Sequence, residues 1–465
     1  MVDSVLTFFT AMENQGASIV KDTPHFDLET YISNYRGRTR FDRLSLIGRS
    51  CVPLCVDALK AAVAEAKRNR DTQRYREAVE CLRMAAPSDP ESNVDHDWII
   101  KTEQANVAET NRLISELKGY KNNMIKESIR MGNEDLGKHF ESTGDLNGAA
   151  ETYAKMRADV STPKQLVDVG KHLVRVAMQR REWGMVLANL SKMGGHQLSA
   201  EDEQALQPYL KIIQGIAFLG QERYSEAALS FLAADPTPPA SGYHDIVSQN
   251  DVAIFGALLA MATMDRRELQ ARVLENKSFR TFLELESHLR RAIAGFITGR
   301  YSATIKILET YRPDYMLDVY LQKHVPRLYE EIRSKCIVQY LIPFSAVKLA
   351  TMEREFMYRA DEQTMEEELV NMVKNGTVEA RIDTIDKLVI TPTQDDRARM
   401  QMEALEAAQD YERQAVERLR RMGLAAADLE LKNPRKSTGK AVDSGRGLGG
   451  LASDNVTFPE ESPFV

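Results

Sequence analysis

Apolar residues recur at helical spacing along most of this chain, and only one short stretch alternates with a period of two. The first helical faces fall in residues 26–35, 38–49 and 53–70. Residues 86–95 are rich in Pro, Ser, Asp and Asn, which favour a loop. A long polar pattern then predicts a single helix over residues 98–131.

A repeated spacing of small and large residues follows this polar helix. Gly137 precedes Ala149 and Tyr153 at the spacing of a tetratricopeptide-like helical hairpin, and Ala227 and Ala303 open similar units. Small residues let neighbouring helices approach closely, and an aromatic side chain one turn later fills the groove between them. Because one hairpin cannot bury its apolar face alone, the pattern predicts a mainly α, right-handed solenoid of stacked hairpins.

The pattern changes after the repeats, where three short helices precede the alternating stretch. A helix over residues 323–341 ends before Pro343, and Ser345 is expected to cap a second helix. A capping box at residues 364–367 opens the third helix. Residues 378–390 then alternate around a turn, which predicts a β-hairpin. Three helices followed by a hairpin are the order of a winged helix.

Winged helices often bind DNA through the third helix, so the charge of that helix helps to decide between two interpretations. It begins with Glu366, Glu367 and Glu368, and three carboxylates would repel phosphate, although Asn371 and Lys374 follow. The whole chain also carries a net charge of -7. We therefore predict a protein-docking module without direct nucleic-acid contact, and sequence-specific DNA binding is the weaker alternative.

One further helix is predicted from Thr393 to about Leu431, with a narrow apolar stripe between many charged residues. A helix with so narrow a stripe gains little by lying alone in water, so we expect it to pack against partner helices. The alternative is that it covers the winged helix of the same chain. From Asn433 onward the composition is that of a disordered tail.

The segments around the predicted winged helix resemble a PCI domain. The residues that carry this resemblance lie at 333–345, at 365–369 and at Gly376 with 380–383. PCI domains occur in the 26S proteasome lid, the COP9 signalosome and translation initiation factor three. The stretches 27–37 and 43–47 are similar to the first-subunit family of the signalosome in particular, with the orthologous lid subunit as the nearest alternative.

This resemblance implies a non-catalytic scaffold in a complex that removes the modifier NEDD8 from cullin–RING ubiquitin ligases. The isopeptidase of that complex is a zinc metalloprotease in a different subunit. The resemblance also implies that PCI subunits join through their winged helices and that their C-terminal helices gather into a bundle. A PCI subunit of a translation-initiation complex, or of another complex that faces nucleic acid, is a further alternative.

The resemblance and the patterns together predict five divisions of the chain and ten residues that contact partner subunits. The divisions are an N-terminal helical segment (1–95), the helical-repeat solenoid (96–312), the winged-helix part of the PCI domain (313–391), a C-terminal bundle helix (392–432) and a disordered tail (433–465). The contact residues are Val378, Ala380, Ile382, Leu388 and Ile390 in the hairpin, and Ala404, Tyr411, Ala415, Leu419 and Met422 in the last helix.

The sequence contains no recognisable motif for catalysis, cofactors or metals. The eight histidines form no His-x-His or His-x3-His pair, and Cys51 and Cys55 lack a second ligand pair. Four cysteines in so long a chain predict buried, reduced thiols. The apolar run at residues 252–264 is too short to span a bilayer. We therefore expect a non-enzymatic protein of the cytoplasm and nucleus, with no membrane contact.

Overall fold

The computed structural model describes residues 2–195, 199–236, 243, 245–356, 364–391, 396–427 and 429. The helices are α1 (Val2–Asn14), α2 (Leu28–Ser33), α3 (Gly37–Ser50), α4 (Cys55–Arg68), α5 (Thr72–Ala85), α6 (His96–Asn122), α7 (Lys126–Thr143), α8 (Leu146–Met156), α9 (Pro163–Gln179), α10 (Trp183–Gly194), α11 (Ala200–Gly220), α12 (Tyr224–Leu232), α13 (Gln249–Thr263), α14 (Arg266–Leu269), α15 (Lys277–Leu285), α16 (Ser287–Ile297), α17 (Tyr301–Tyr315), α18 (Val325–Leu341), α19 (Leu349–Phe356), α20 (Met365–Lys374) and α21 (Asp396–Ala426). The strands are β1 (Ala346–Lys348), β2 (Arg381–Asp383) and β3 (Leu388–Ile390). None of the described helices is both long and apolar enough to cross a membrane.

Two compact units divide the chain, Met1–Pro392 and Thr393–Val465. The first unit holds the helical repeats and a winged helix, and the second holds α21. The predicted fold class, a mainly α chain with a helical solenoid followed by a winged-helix module, is confirmed. The finer predicted divisions within the first unit stay predictions, and the predicted disordered tail lies outside the described residues.

The N-terminal helices have a hydrophobic core of their own. Buried side chains from α1 and from α3 to α5 form one cluster, and Leu317 joins it from far along the chain. Asp27 caps α2 by accepting a hydrogen bond from the backbone N–H of Thr30. Cys51 extends the same cluster through a parallel β-bridge with Val20. The N-terminal segment is therefore packed against the chain that precedes the winged helix.

The repeats pack as the glycine and aromatic pattern predicts. A Cβ atom added at Gly137 would lie 2.4 Å from the Tyr153 ring, and one added at Gly215 would lie 2.8 Å from the Phe231 ring. At Gly220 the added atom would lie 2.3 Å from the indole of Trp183. Real Cβ atoms do not approach other atoms so closely, so each aromatic ring occupies space that only glycine leaves open.

The first testable prediction concerns this close packing. Gly137→Ala is expected to lower the free energy of unfolding by about 1–3 kcal/mol, because the fully buried Tyr153 ring must move to admit a methyl group. Gly119→Ala is the matched control, since nothing lies within 4 Å of its Cβ in α6. The control is expected to gain about 0.5–1 kcal/mol through helix propensity. Urea unfolding measures both, and equal shifts would contradict the packing argument.

Two sequence predictions of local structure are wrong. The single helix predicted over residues 98–131 is two helices, because the chain turns between α6 and α7 at Met124, whose φ is 53°. The helix predicted to begin at Ser345 begins at Leu349, because residues 346–348 form β1 instead. Pairing of β1 with β3 stabilises the extended conformation there, and local propensity carries no information about that distant partner.

The winged helix consists of α18, α19 and α20 with a three-stranded antiparallel sheet. The strand order is β1-β3-β2, so the predicted hairpin gains a third strand on its far side. Val389 pairs with Val347 on one side and with Ile382 on the other. Gly376, with a φ of 72°, ends α20 and turns the chain toward the sheet. Val347 and Val389 belong to the same hydrophobic core as the buried residues of α18, α19 and α20, so the sheet packs directly on these helices.

Candidate partner-docking surfaces

The wing sheet has a core face and an outer face, and strand register determines which residue lies on which. Val347 and Val389 are 7% and 0% exposed, and Ile382 shares their face because it pairs with Val389. Side chains alternate along a strand, so Leu388 and Ile390 lie on the opposite, outer face.

The five hairpin residues predicted to contact partners are thus distributed over two environments. Val378 is buried in the core of the first unit, and Ala380 and Ile382 pack against that core. Leu388 is half-buried and Ile390 is 42% exposed. Only the last two present side chains on the outer face, so only they offer apolar surface there to a partner.

Sequence analysis missed a neighbouring group of exposed apolar residues. Ile342 is 68% exposed and Phe344 is 43% exposed, just before β1. The Phe344 carbonyl accepts a hydrogen bond from the Thr391 hydroxyl, which places it beside the end of β3 and near Ile390. We call Ile342, Phe344, Leu388 and Ile390 the outer wing patch. The sequence signal that could have indicated this patch is the pair of apolar residues that flank Pro343.

The carboxylates at the start of α20 are partly neutralised within the fold. Glu368 accepts two hydrogen bonds from Arg333, at 2.7 and 3.1 Å, and Glu366 lies 2.8 Å from the Lys387 ammonium. Glu367 remains exposed at the helix N-terminus, where Thr364 caps its backbone N–H. Two of the three carboxylates therefore hold the module together, and their repulsion of phosphate is weaker than the sequence indicates.

The helix α21 presents an apolar stripe that no described neighbour on its own unit covers. Ala404, Tyr411, Ala415, Leu419 and Met422 lie near one face at helical spacing. Tyr411 is 74% exposed, and Leu419 and Met422 are each 67% exposed. The helix ends at Ala426, five residues before the predicted end at Leu431. The stripe extends one turn further toward the N-terminus, to Met400.

A buried arginine joins distant parts of the first unit. Arg43 on α3 is 0% exposed, and its guanidinium donates to the carboxylates of Asp251 at 2.8 Å and Asp318 at 2.6 Å. It also donates to the Tyr31 hydroxyl and lies 4.0 Å from the centre of the Tyr35 ring. The cation thus holds carboxylates that are 208 and 275 residues away in sequence.

The two aspartates of this buried arginine cluster are held by further hydrogen bonds. Asp251 accepts from the Tyr35 hydroxyl at 2.7 Å and from the backbone N–H of Ser248 at 3.0 Å. Asp318 accepts from the backbone N–H groups of Tyr320 and Leu321, both at 2.8 Å. Burial raises the pKa of Asp251, against the lowering effect of Arg43, and the nearby Asp318 raises it further.

The cysteines are poorly suited to nucleophilic chemistry. All four are free and buried. Burial raises the pKa of the Cys55 and Cys336 thiols to about 12, so they are protonated at neutral pH. In the described ranges, no group of three or more His, Cys, Asp or Glu side chains is arranged to hold a metal ion.

Comparison of the sequence with known proteins shows the family to which the chain belongs. Residues 95–272 match the family described as 26S proteasome subunit RPN7, and residues 308–393 match the PCI domain family. The COP9 signalosome complex subunit 1 of Neurospora crassa is 52% identical over 439 residues, which cover 94% of this chain and 96% of that protein. The chain belongs to the COP9 signalosome subunit 1 family.

Two more members of the COP9 signalosome subunit 1 family are similar over most of their length. The subunit 1 of Emericella nidulans is 44% identical, covering 89% of this chain and 84% of its own. That of Arabidopsis thaliana is 29% identical, covering 88% and 92%. The match to the proteasome lid family is confined to residues 95–272, so the lid subunit is the weaker of the two predicted identities.

The two family matches also clarify what the buried arginine cluster connects. Asp251 lies inside the region that matches the lid-subunit family, and Asp318 lies inside the region that matches the PCI domain. Arg43 lies outside both, in the N-terminal segment. In this member of the COP9 signalosome subunit 1 family, one side chain therefore fastens the N-terminal helices to both matched regions.

Proposed function

We propose that this chain is a non-catalytic scaffold subunit of the COP9 signalosome, the complex that removes NEDD8 from cullins and so regulates cullin–RING ubiquitin ligases. The observation that carries the proposal is the 52% identity to a signalosome subunit 1 over 94% of the chain. The PCI match and the solenoid support a role in assembly, because stacked helical hairpins offer long surfaces to other proteins.

The chemistry of deneddylation belongs, in this proposal, to a metalloprotease in another subunit. The raised thiol pKa values and the lack of a His-x-His pair in the sequence support a non-enzymatic role for this chain. Cullin–RING ligases are then partners through the complex. We further propose that the chain acts in the cytoplasm and nucleus, without direct contact with nucleic acid or membrane.

Assembly is proposed to use the outer wing patch and the stripe on α21. Isolated apolar side chains are common on protein surfaces, but adjacent ones mark contact sites. Leu388 and Ile390 are neighbours across the outer face, and Phe344 lies beside them. Because Val378, Ala380 and Ile382 belong to the core side, they support the wing from within and are not proposed as direct contacts.

The experiment that tests the proposal is native mass spectrometry of the affinity-purified full chain. Other PCI subunits of the signalosome and its metalloprotease are the expected companions. Recovery of proteasome lid subunits instead would overturn the signalosome assignment, and recovery of ribosomal or initiation-factor proteins would favour the nucleic-acid-facing alternative.

The second testable prediction concerns the outer wing patch. Leu388→Asp with Ile390→Asp is expected to reduce co-purified PCI subunits by about tenfold or more, because a carboxylate at an apolar contact loses its hydration. Met185→Asp is the control, since Met185 is 56% exposed on α10, away from the wing. Quantitative mass spectrometry compares the two. Equal recovery from both proteins would show that the wing makes no partner contact.

A further inference from the structure

A cavity of about 700 Å³ in the first unit lies where the N-terminal helices, the repeats and the start of α18 meet. Its lining comes from α3, α5, α10, α11, α12 and the segment before α18. It shares no residue with the outer wing patch. A cavity of this size can take a drug-sized molecule or several residues of a peptide.

Cations outnumber carboxylates around this cavity. Five Arg or Lys side chains line it against three carboxylates, in a chain whose overall net charge is -7. Two of the cations have partners, because Arg74 lies 2.8 Å from Asp42 and Arg327 lies 2.8 Å from Glu222. Three cations and one carboxylate, Glu77, remain after these two pairs, which leaves a local excess of two positive charges.

These three cations are Arg49, Arg181 and Lys323. Arg181 is exposed, donates to the Val319 carbonyl at 3.3 Å and lies 5.3 Å from the Tyr320 ring centre. Lys323 is exposed at the rim. The Nε atom of Arg49 is buried without a hydrogen-bond partner. Within the described part of the chain, none of the three has a carboxylate at ion-pair distance, and Arg181 and Lys323 are exposed, so these two can engage a ligand.

Helix ends add to the positive potential of the cavity. The first turns of α10, α12 and α18 reach the lining through Trp183, Tyr224 and Arg327. None of these three helices has a side-chain cap at its N-terminus. Uncapped N-terminal N–H groups of α10 and α12 carry the positive end of the helix dipole, which favours anions. Helix α18 adds less, because the Val325 N–H already donates to the Leu321 carbonyl and Pro326 has no N–H. The dipoles and the free cations are independent features of the same cavity.

We propose that this cavity binds an acidic peptide segment of another protein. The cations stand on separate elements around the cavity, which suits several carboxylates along a chain better than one compact anion. Trp183 and Tyr320, both half-buried, supply apolar surface between them, which an inorganic anion would leave unused. An acidic segment with interspersed apolar residues satisfies both parts of the lining.

Binding is tested on the isolated full chain by fluorescence anisotropy, so the proposal does not rest on the assembly role above. The probe is a fluorescein-labelled short peptide that alternates glutamate with leucine. The variant is Arg181→Met with Lys323→Met, which removes two exposed cations of the cavity, and circular dichroism checks that it folds. We expect affinity to fall about tenfold and its salt dependence to weaken. Lys155→Met with Lys192→Met removes the same charge outside the cavity and is expected to bind as the parent does.

The pKa of His324 gives a second, direct measure of binding at the cavity. His324 lines it, and burial lowers its pKa; Glu222 opposes this by raising the pKa, while Lys323 and Arg327 lower it further. An acidic peptide nearby opposes these cations, so the His324 pKa is expected to rise on binding, as measured by NMR titration. The rise should be absent with the same peptide carrying glutamine in place of glutamate.

Several results would overturn the proposal. They are no saturable binding of the glutamate peptide up to about 1 mM, equal binding of the glutamine peptide, or equal losses in the cavity variant and its control. Tripolyphosphate serves as the competitor. If it binds more tightly than the peptide and depends on Arg181 and Lys323, the cavity is a phosphate site and the peptide assignment is wrong.

Discussion

Arg43→Met is expected to lower the free energy of unfolding of the first unit by about 3–5 kcal/mol. The substitution keeps much of the side-chain volume but leaves Asp251 and Asp318, which are 3% and 6% exposed, without their cation. Two buried carboxylates that lie near each other repel and cannot both be hydrated. Urea unfolding of the full chain, followed by tryptophan fluorescence and circular dichroism, measures the loss.

Neutralising the two aspartates distinguishes the electrostatic contribution of Arg43 to the free energy of unfolding from its packing contribution. Arg43→Met combined with Asp251→Asn and Asp318→Asn is expected to recover at least half of the loss, because no buried charge remains. Arg68→Ala is the surface control. Arg68 pairs with Glu65 at 3.3 Å, but its side chain is 72% exposed, so its removal should cost under about 1 kcal/mol. An Arg43 variant as stable as this control would contradict the proposed role of the cluster.

The second large effect is expected in α21. Tyr411→Asp with Met422→Asp should reduce co-purified signalosome subunits by about tenfold or more, because the stripe would carry two charges into an apolar helix interface. The two residues are eleven positions apart and share one face. The first unit should unfold as before, because α21 belongs to the other compact unit. Native mass spectrometry measures assembly, and circular dichroism checks folding.

The same helix supplies a matched control. Leu405 and Val416 are also eleven positions apart, are 61% and 60% exposed, and lie about 120° around the helix from Tyr411 and Met422. Leu405→Asp with Val416→Asp therefore adds the same charge to the same helix on another face. Assembly should survive this change. If both double variants lose the complex equally, the loss reports general damage to the helix and the predicted stripe is not an interface.

Local patterns were sufficient for the parts of the fold in which neighbours in sequence are neighbours in space. The hairpin repeats are of this kind, because Gly137 and Tyr153 lie on consecutive helices. Their spacing in sequence predicts that the Tyr153 ring packs against Gly137 where those helices meet. The third helix of the winged module is another, since its cap at Thr364 and its glycine at 376 mark both ends. In each case the signal and the contact lie within a few turns of each other.

Prediction failed where a distant segment decided the outcome. The pattern favoured a helix after Ser345, but β1 forms there because β3 offers hydrogen bonds from more than forty residues away. The hairpin residues looked equivalent as an alternating run, yet register on a central strand divided them between the core and the outer wing patch. The missed break at Met124 is different, because it is local and carried a signal: Gly119, Asn122 and Asn123, which have poor helix propensity, precede it.

The sequence by itself determined the class of fold, the order of solenoid and winged helix, and the family resemblance, because periodicity and caps act over single helices. Only the tertiary structure decided which residues are available to partners and what holds the N-terminal segment in place. Nothing in the sequence around them distinguishes Arg43, Asp251 and Asp318 from other charged residues. They become one buried cluster only after three remote elements have packed, because burial is a property of the assembled fold and not of any one segment.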